Sequence, residues 1–310
     1  MRNLVSIAFM FVMMLMTSTV FAQSYTFRVI ANKGDNQVKK AGATSAIALK
    51  TGSTLNSGDE LIVSEGAYIG LMHSSGKTTE VRSSGTKKVS DLEKKVNVGS
   101  TSIATRYARF VASKMSEEEN TNNRSRSYAT GAISRDVVNA AIKILLPGTQ
   151  VEFIGDNAII RWGEPEAGME EGDVYLVTIK DIFDEVIYTT ETANESIELD
   201  FTDSQLKNEA GLYIFNVMKK GNEEVKSIDF GVKRLENPEV KEGLASLKNE
   251  VTDDSPLNKL IYASFYEENG LLLDALTKYE EAIQLAPDIQ DFQDLYDNFK
   301  LKNGLVTDAE

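Results

Sequence analysis

The sequence predicts a multidomain protein: an all-β N-terminal domain, a β-sandwich middle domain and an all-α helical-repeat C-terminal part. Three observations lead there. Residues 24–100 carry short apolar runs (YTFRVIA, SAIALK, DELIVS, AYIGLMHSS, TTEVRS) parted by Gly, Ser and Asn turns, about every ten residues and with no helical period. Residues 148–235 carry about seven more such runs. Beyond Arg234 the apolar residues return every three or four positions, the period of a helix face.

The start of the chain has the pattern of a secretory signal peptide over residues 1–22. Arg2 precedes an apolar run from Leu4 to Met16, and Val20-Phe21-Ala22 supplies the residues expected before a cut ahead of Gln23. The run is 13 residues long, short of the roughly 20 needed to span a bilayer. An exported chain is expected, with no integral membrane segment once matured, in the periplasm or at the cell surface or secreted. The chain has no cysteine, so neither disulfide, lipid-bearing thiol nor thiolate metal site is available. Stability must come from buried cores, and the remaining length suffices for two or three domains. The expected divisions are 23–100, 101–147 (helix and linker), 148–235 and 236–310.

Charge is spread unevenly. Residues 23–100 hold 11 Lys/Arg against 7 Asp/Glu, net +4, whereas 101–235 hold 15 against 23, net −8, and 236–310 hold 6 against 17, net −11. So acidic a balance argues against nucleic acid as a partner.

In the first unit the stretch LKTGSTLNSGDELIVSEGAYIGLMHSSGKTTEV is the most informative. Gly52, Leu55, Gly58 and Asp59 precede a strand, Ala67, Ile69 and Leu71 alternate along the next, and Gly76 stands where a hairpin must reverse. This GxxLxxGD turn, strand and Gly-bearing hairpin resemble the β domain in the periplasmic part of FecR-like proteins, over about 70 residues. The resemblance implies that fold and a place among envelope proteins that sense or relay contacts.

Ile103, Tyr107, Phe110 and Val111 predict a helix over 101–115. SEEENTNNRSRSYATGAISRD then has the composition of a linker, over 117–135, with Arg124, Arg126 and Arg135 solvated. The runs QVEFIG, AIIRWGE, VYLVTIKD, EVIYTTE, SIELDF, GLYIFNVMKKG and KSIDFGVKRL follow, and short strands so closely spaced favour a sandwich. Trp162, Tyr175, Leu212 and Tyr213 resemble core positions of fibronectin type III or other immunoglobulin-like modules, which implies that Trp162 and Tyr213 fill the space between sheets.

At the helical end, Glu239 to Val251 predicts one helix with Leu244, Leu247 and Val251 on one face. Ser255-Pro256 then marks a new start, with a hydroxyl suited to an N-cap and a proline to the first helical position. Asp253 and Asp254 complement that positive helix end. Ala263, Tyr266, Gly270, Ala275, Tyr279, Ala282 and Pro287 recur at spacings of 3, 4, 5, 4, 3 and 5 residues. Small residues at a helix crossing, aromatics in the gap and a closing proline resemble a tetratricopeptide repeat (TPR). Helices over 257–269 and 271–285 are expected. One repeat cannot bury its own apolar face, so 239–251 and 289–300, with Phe292, Leu295, Tyr296 and Phe299, are expected to flank it. The resemblance implies a helical end that contacts peptides or other proteins.

Reactive chemistry finds little support. His73 is the only histidine, next to a predicted turn, where a surface or turn role is expected. Without a second His or any Cys the usual zinc sets are out of reach, and His73 alone would have to serve a catalytic triad. Asp and Glu fall mostly on predicted helix surfaces and turns, where solvated faces are expected, and neither a P-loop nor a dinucleotide glycine fingerprint occurs. No catalytic, cofactor or metal residue is assigned. The expectation is a non-enzymatic exported envelope adaptor that meets other envelope proteins or peptides through its C-terminal helices. The alternatives are a sensor arm in a FecR-type signal relay and a carbohydrate-binding module.

Overall fold

The computed structural model describes residues 25–96, 103–118, 140–146, 149–165, 167–206 and 211–305. The expected signal peptide and most of the expected linker lie outside the described residues. The chain is β-rich over its first two-thirds and helical at its C-terminal end, and no described helix is long and apolar enough to cross a membrane.

The first unit comprises β1 (Phe27–Lys33), β2 (Gln37–Lys39), β3 (Ile47–Ala48), β4 (Thr54–Leu55), β5 (Glu60–Val63), β6 (Tyr68–His73), β7 (Thr78–Val81), β8 (Gly85–Lys88) and the short helix α1 (Val89–Glu93). They form two four-stranded sheets, ordered β4-β1-β6-β7 and β3-β2-β5-β8. Phe27, Val29, Leu55, Leu61, Ile69 and Leu71 pack between them. β6 is buried at every residue. Ile69 and Leu71 face this core, while the alternating Tyr68 and Met72 join the apolar core of the helices. A strand with two dry faces needs apolar residues on both, and YIGLMH supplies them.

The sandwich is built from β9 (Gln150–Phe153), β10 (Asn157–Arg161), β11 (Tyr175–Lys180), β12 (Val186–Thr192), β13 (Ser196–Asp200), β14 (Leu212–Lys219) and β15 (Phe230–Arg234). One sheet runs β12-β11-β14-β15-β9 and the other pairs β10 with β13. β9 lies parallel to β15, so the chain changes sheets at the turn Ile154-Gly155-Asp156. β11 and β14 alternate buried and half-buried residues, the period-two pattern of a sheet with one dry face.

Five longer helices occur among the described residues: α2 (Ile103–Glu118), α3 (Pro238–Glu250), α4 (Pro256–Glu268), α5 (Leu272–Leu285) and α6 (Gln290–Lys302). The start signals act as expected. The Asn237 side chain accepts from Glu239 N–H, and Ser255 Oγ accepts from Asn258 N–H with Pro256 in the first turn. Gly270, at φ +73°, turns α4 into α5. These two helices have almost no solvent face. Leu260, Ala263, Ala275 and Ala282 are fully buried, and exposure is confined to Glu268 in α4 and to Gln284 and Leu285 in α5. α4 packs on α2, α5 and β7, and α5 packs on α6, β9 and β10.

The α4–α5 hairpin therefore offers no open face of its own, because the rest of the chain covers it, whereas α3 and α6 keep exposed faces. α2 lies across α3, α4 and α6 and also touches β1 and β6. Ala104, Ala108 and Ala112 form its buried stripe, and small side chains at a four-residue spacing let the helix approach closely. Tyr107 packs edge-on to Phe265 at 5.4 Å.

The β6–β7 hairpin sits under the start of α2, where Thr105 Oγ1 donates to Ser75 C=O at 3.2 Å. A Cβ on Gly76, at φ +90°, would stand 2.1 Å from Thr105 Cγ2, whereas one on Gly66, at φ +68°, would meet nothing within 4 Å. Gly66→Ala is expected to cost only the left-handed backbone penalty, about 1–2 kcal/mol. Gly76→Ala adds an overpacking cost of about 1–3 kcal/mol. Urea unfolding of the two variants side by side checks this, with equal losses counting against the α2–hairpin contact.

Candidate functional site

Polar groups that the fold withdraws from water include a set at the seams between the helical hairpin and the two β units. Toward the sandwich, α5 presents Asp274, Thr277 and Glu280, one helical turn apart and all at most 3% exposed. Asp274 accepts the N–H groups of Ile154 at 3.0 Å and Gly155 at 2.6 Å, which clamps the turn where the chain changes sheets. Only glycine fits there, since a Cβ on residue 155 would lie 2.6 Å from Asp274 Oδ1. Thr277 Oγ1 accepts Ile159 N–H at 2.9 Å and so covers an edge of β10. Glu280 pairs with Arg161 and accepts from Tyr296 Oη at 2.6 Å, which ties α6 into the same seam.

Toward the first unit, Glu80 Oε1 accepts Leu257 N–H at 3.1 Å, at the start of α4. Asp291 on α6 accepts from Asn32 N–H and from Thr51 Oγ1 at 3.2 Å, and Lys33 pairs with Asp288 at 2.6 Å. Within the bundle, Asp253 and Glu281 alternate with Lys259 and Lys278 in a closed ring of ion pairs. Asp253 thus acts as an ion-pair partner beyond its place at a helix end. Glu267 accepts from Tyr279 Oη at 3.1 Å and pairs with Lys302 and Lys114. Burial disfavours its charge, yet these partners hold its carboxyl below the usual range.

The residues singled out from sequence fall as follows. Ala263, Ala275 and Ala282 lie at the α4–α5 crossing, Tyr266 and Tyr279 are buried beside them, Gly270 makes the turn, and Pro287 follows the end of α5. Burial raises the Tyr266 phenol well above its usual range, and the nearby Asp274 adds to this. Gly52, at φ +82°, precedes the fully buried Leu55, and Gly58 lets Ala41 approach. Asp59 accepts from Asn56 N–H, Ala41 N–H and Lys40 Nζ. Burial disfavours its charge, and these partners outweigh that and hold the carboxyl low. Trp162 and Tyr213 lie in the sandwich core. Trp162 packs edge-on to Tyr175 at 5.4 Å and is 1% exposed, leaving no ring face for a sugar to stack on. Burial, with Glu195 and Glu164 nearby, pushes the Tyr175 phenol up to about 12.

Two placements refine the expectations. His73 sits at a turn but not at the surface: it is 6% exposed, packs edge-on to Phe27, and its Nδ1 accepts Ser75 N–H at 3.1 Å. The acidic residues are not all on solvated faces, since Asp59, Asp274 and Glu280 are interior. Backbone N–H groups meet Asp59 and Asp274, and Arg161 and Tyr296 meet Oε1 of Glu280, because a buried carboxylate needs N–H groups, hydroxyls or cations around it. The overlooked signal was the polar Asp274, Thr277 and Glu280 recurring three apart in LLDALTKYEEAIQL, on one face of the helix.

No family model and no curated protein matches the chain. Among solved structures it is similar to the fibronectin(III)-like modules of CbhA from Clostridium thermocellum, at 13% identity, covering 70% of this chain and 81% of that one, with a TM-score of 0.19. So low a score supports nothing further, and the sandwich rests on its own strand order. In class, this is a β-then-α multidomain protein in which Asp274, Glu280, Glu80 and Asp291 bond the helices to the β units.

Asp274 offers a pH test of the seam. Burial raises its carboxyl from 3.8 to about 7, against the two N–H bonds and the cations Arg234 and Lys278. Folding therefore takes up a proton between those values. The stabilisation is complete below about pH 4 and is lost as pH rises to about 7, by at most about 4 kcal/mol. Asp274→Asn cannot titrate, so its unfolding free energy relative to the native chain should climb across that window. A difference that stays flat with pH would contradict the assignment.

Proposed function

We propose that the chain is a non-enzymatic exported adaptor of a bacterial cell envelope, residing in the periplasm. It holds two β units at a fixed spacing around one helical core and offers their outer rims to other proteins. The observation that carries this reading is the α4–α5 hairpin, buried on all sides and bonded to both units through Glu80, Asp274, Thr277 and Glu280. A fixed spacing is what an adaptor needs, and Asp274 and Glu280, each 3% exposed, are closed off from any substrate.

Finer likenesses support the same reading. In the first unit Gly52, Leu55, Gly58, Asp59 and Gly76 play backbone and core roles that suit a FecR-like β domain. Ala263, Ala275 and Ala282 at the helix crossing suit a TPR-like hairpin, here with its faces used inside the chain rather than by a peptide. The sheet-switching β9 and the buried Trp162 suit a fibronectin-like sandwich.

Photocrosslinkers at Ile47 and Phe183, which are 56% and 77% exposed on the two β units, test the proposal in the native cells. The expected result is an envelope-fraction protein beginning at Gln23, with a discrete crosslinked species from each position. Cytoplasmic retention with an intact leader, or silence at both positions, would overturn it.

A further inference from the structure

β12 is the outermost strand of the larger sandwich sheet, so among the described residues one edge of its backbone has no strand beside it, though the one-turn helix Ser204–Leu206 touches β12. Its sequence, VIYTTET, is rich in β-branched residues and lacks Pro and Lys, which commonly blunt such an edge, and its pairing with β11 slips once, at Ile187. Just before it, the β11–β12 turn raises a short apolar tip. Ile182, Phe183 and Val186 are 46%, 77% and 57% exposed, and they make up half of the large apolar side chains exposed among the described residues. The tip is held in shape. Asp181 Oδ1 accepts the N–H groups of Phe183 at 2.8 Å and Glu185 at 3.0 Å, and Asp184 takes a left-handed φ of +67°. An ordered Phe loses little conformational freedom when covered.

The charge around this edge has one sign. From residue 181 to 206 the sequence holds eight Asp/Glu and no Lys or Arg. Among the described residues only Asp184 and Glu191 of that set carry ion-pair partners, Lys180 and Lys220, both from neighbouring strands. A second copy of the chain would bring two such acidic stretches face to face, which disfavours pairing of β12 with itself.

We propose that the free edge of β12, together with the Ile182–Phe183 tip, takes up an extended, Lys/Arg-bearing segment of another protein as an added strand. The main-chain bonds of β12 supply affinity that depends little on sequence, the tip supplies an apolar contact, and the carboxylates select a cationic strand. This inference rests on the adaptor reading and names the chemistry of one of its partners.

The test uses the mature chain, residues 23–310, and a short fluorescent peptide of alternating Val and Lys, with an alternating Val and Glu peptide for comparison. Anisotropy should detect binding of the Lys peptide that weakens with salt, and Phe183→Ser should weaken it about tenfold or more, a loss of at least about 1.4 kcal/mol. Hydrogen exchange should slow in 186–192 when the Lys peptide binds. Equal binding of the Glu peptide, unchanged exchange in 186–192, or slowing that follows protein concentration without peptide would each overturn the proposal. The last result would assign the edge to a second copy. A failed peptide test alongside a crosslinked species at position 183 would remove this occupant and leave the adaptor reading intact.

Discussion

Two helices without a solvent face impose the main constraint on this molecule. Ala263, Ala275 and Ala282 let α4 and α5 lie close, but a single helical pair has two broad apolar surfaces and can cover neither. The chain answers from three directions. α2 arrives from upstream in sequence, β1 and β6 contribute Ile30, Ala31, Tyr68 and Met72, and the sandwich brings its sheet-switching turn onto α5. The first unit and the helices thereby share one apolar core, while the sandwich keeps a core of its own, lends Ile154 to that of the helices and takes in Leu273 of α5.

Apolar contact alone leaves a helix free to slide or rotate, and the buried polar groups remove that freedom. Asp274 recognises two particular amides, Thr277 a third, and Glu280 one guanidinium. Each would be left unsatisfied by a shift of one residue, at a cost of about 1–3 kcal/mol per group. On the other side, Asp291 and Glu80 act likewise on backbone N–H groups of β1 and α4. The hairpin is thus glued by its alanines and registered by its carboxylates.

Much of this was legible in the sequence where one local rule governs. Ser255-Pro256 at a helix start, Gly270 at a tight turn, and the period-two pattern of β11 and β14 depend on near neighbours alone. What escaped depends on distant partners. Asp274 has the same local context as a surface acid, and only Gly155, more than a hundred positions away, makes it interior. The helix α2 was expected from Ile103, Tyr107, Phe110 and Val111, but not its place against α3, α4 and α6, which its Ala104, Ala108, Ala112 stripe allows. His73 lies at the expected turn, yet Phe27 from another strand is what buries it.

The coupling of the sandwich to the helices is the central claim, and the single tryptophan makes it measurable. Trp162 reports only the sandwich, while far-ultraviolet dichroism at the helical band reports mainly α2 to α6. Denaturant unfolding of the chain followed by both signals should give coincident transitions with one midpoint, because Leu273 and the bonds of Asp274, Thr277 and Glu280 tie α5 to the sandwich. Two separated midpoints, with the helical signal persisting after the tryptophan has reached water, would mean that the sandwich and the helices are independent bodies in mere contact.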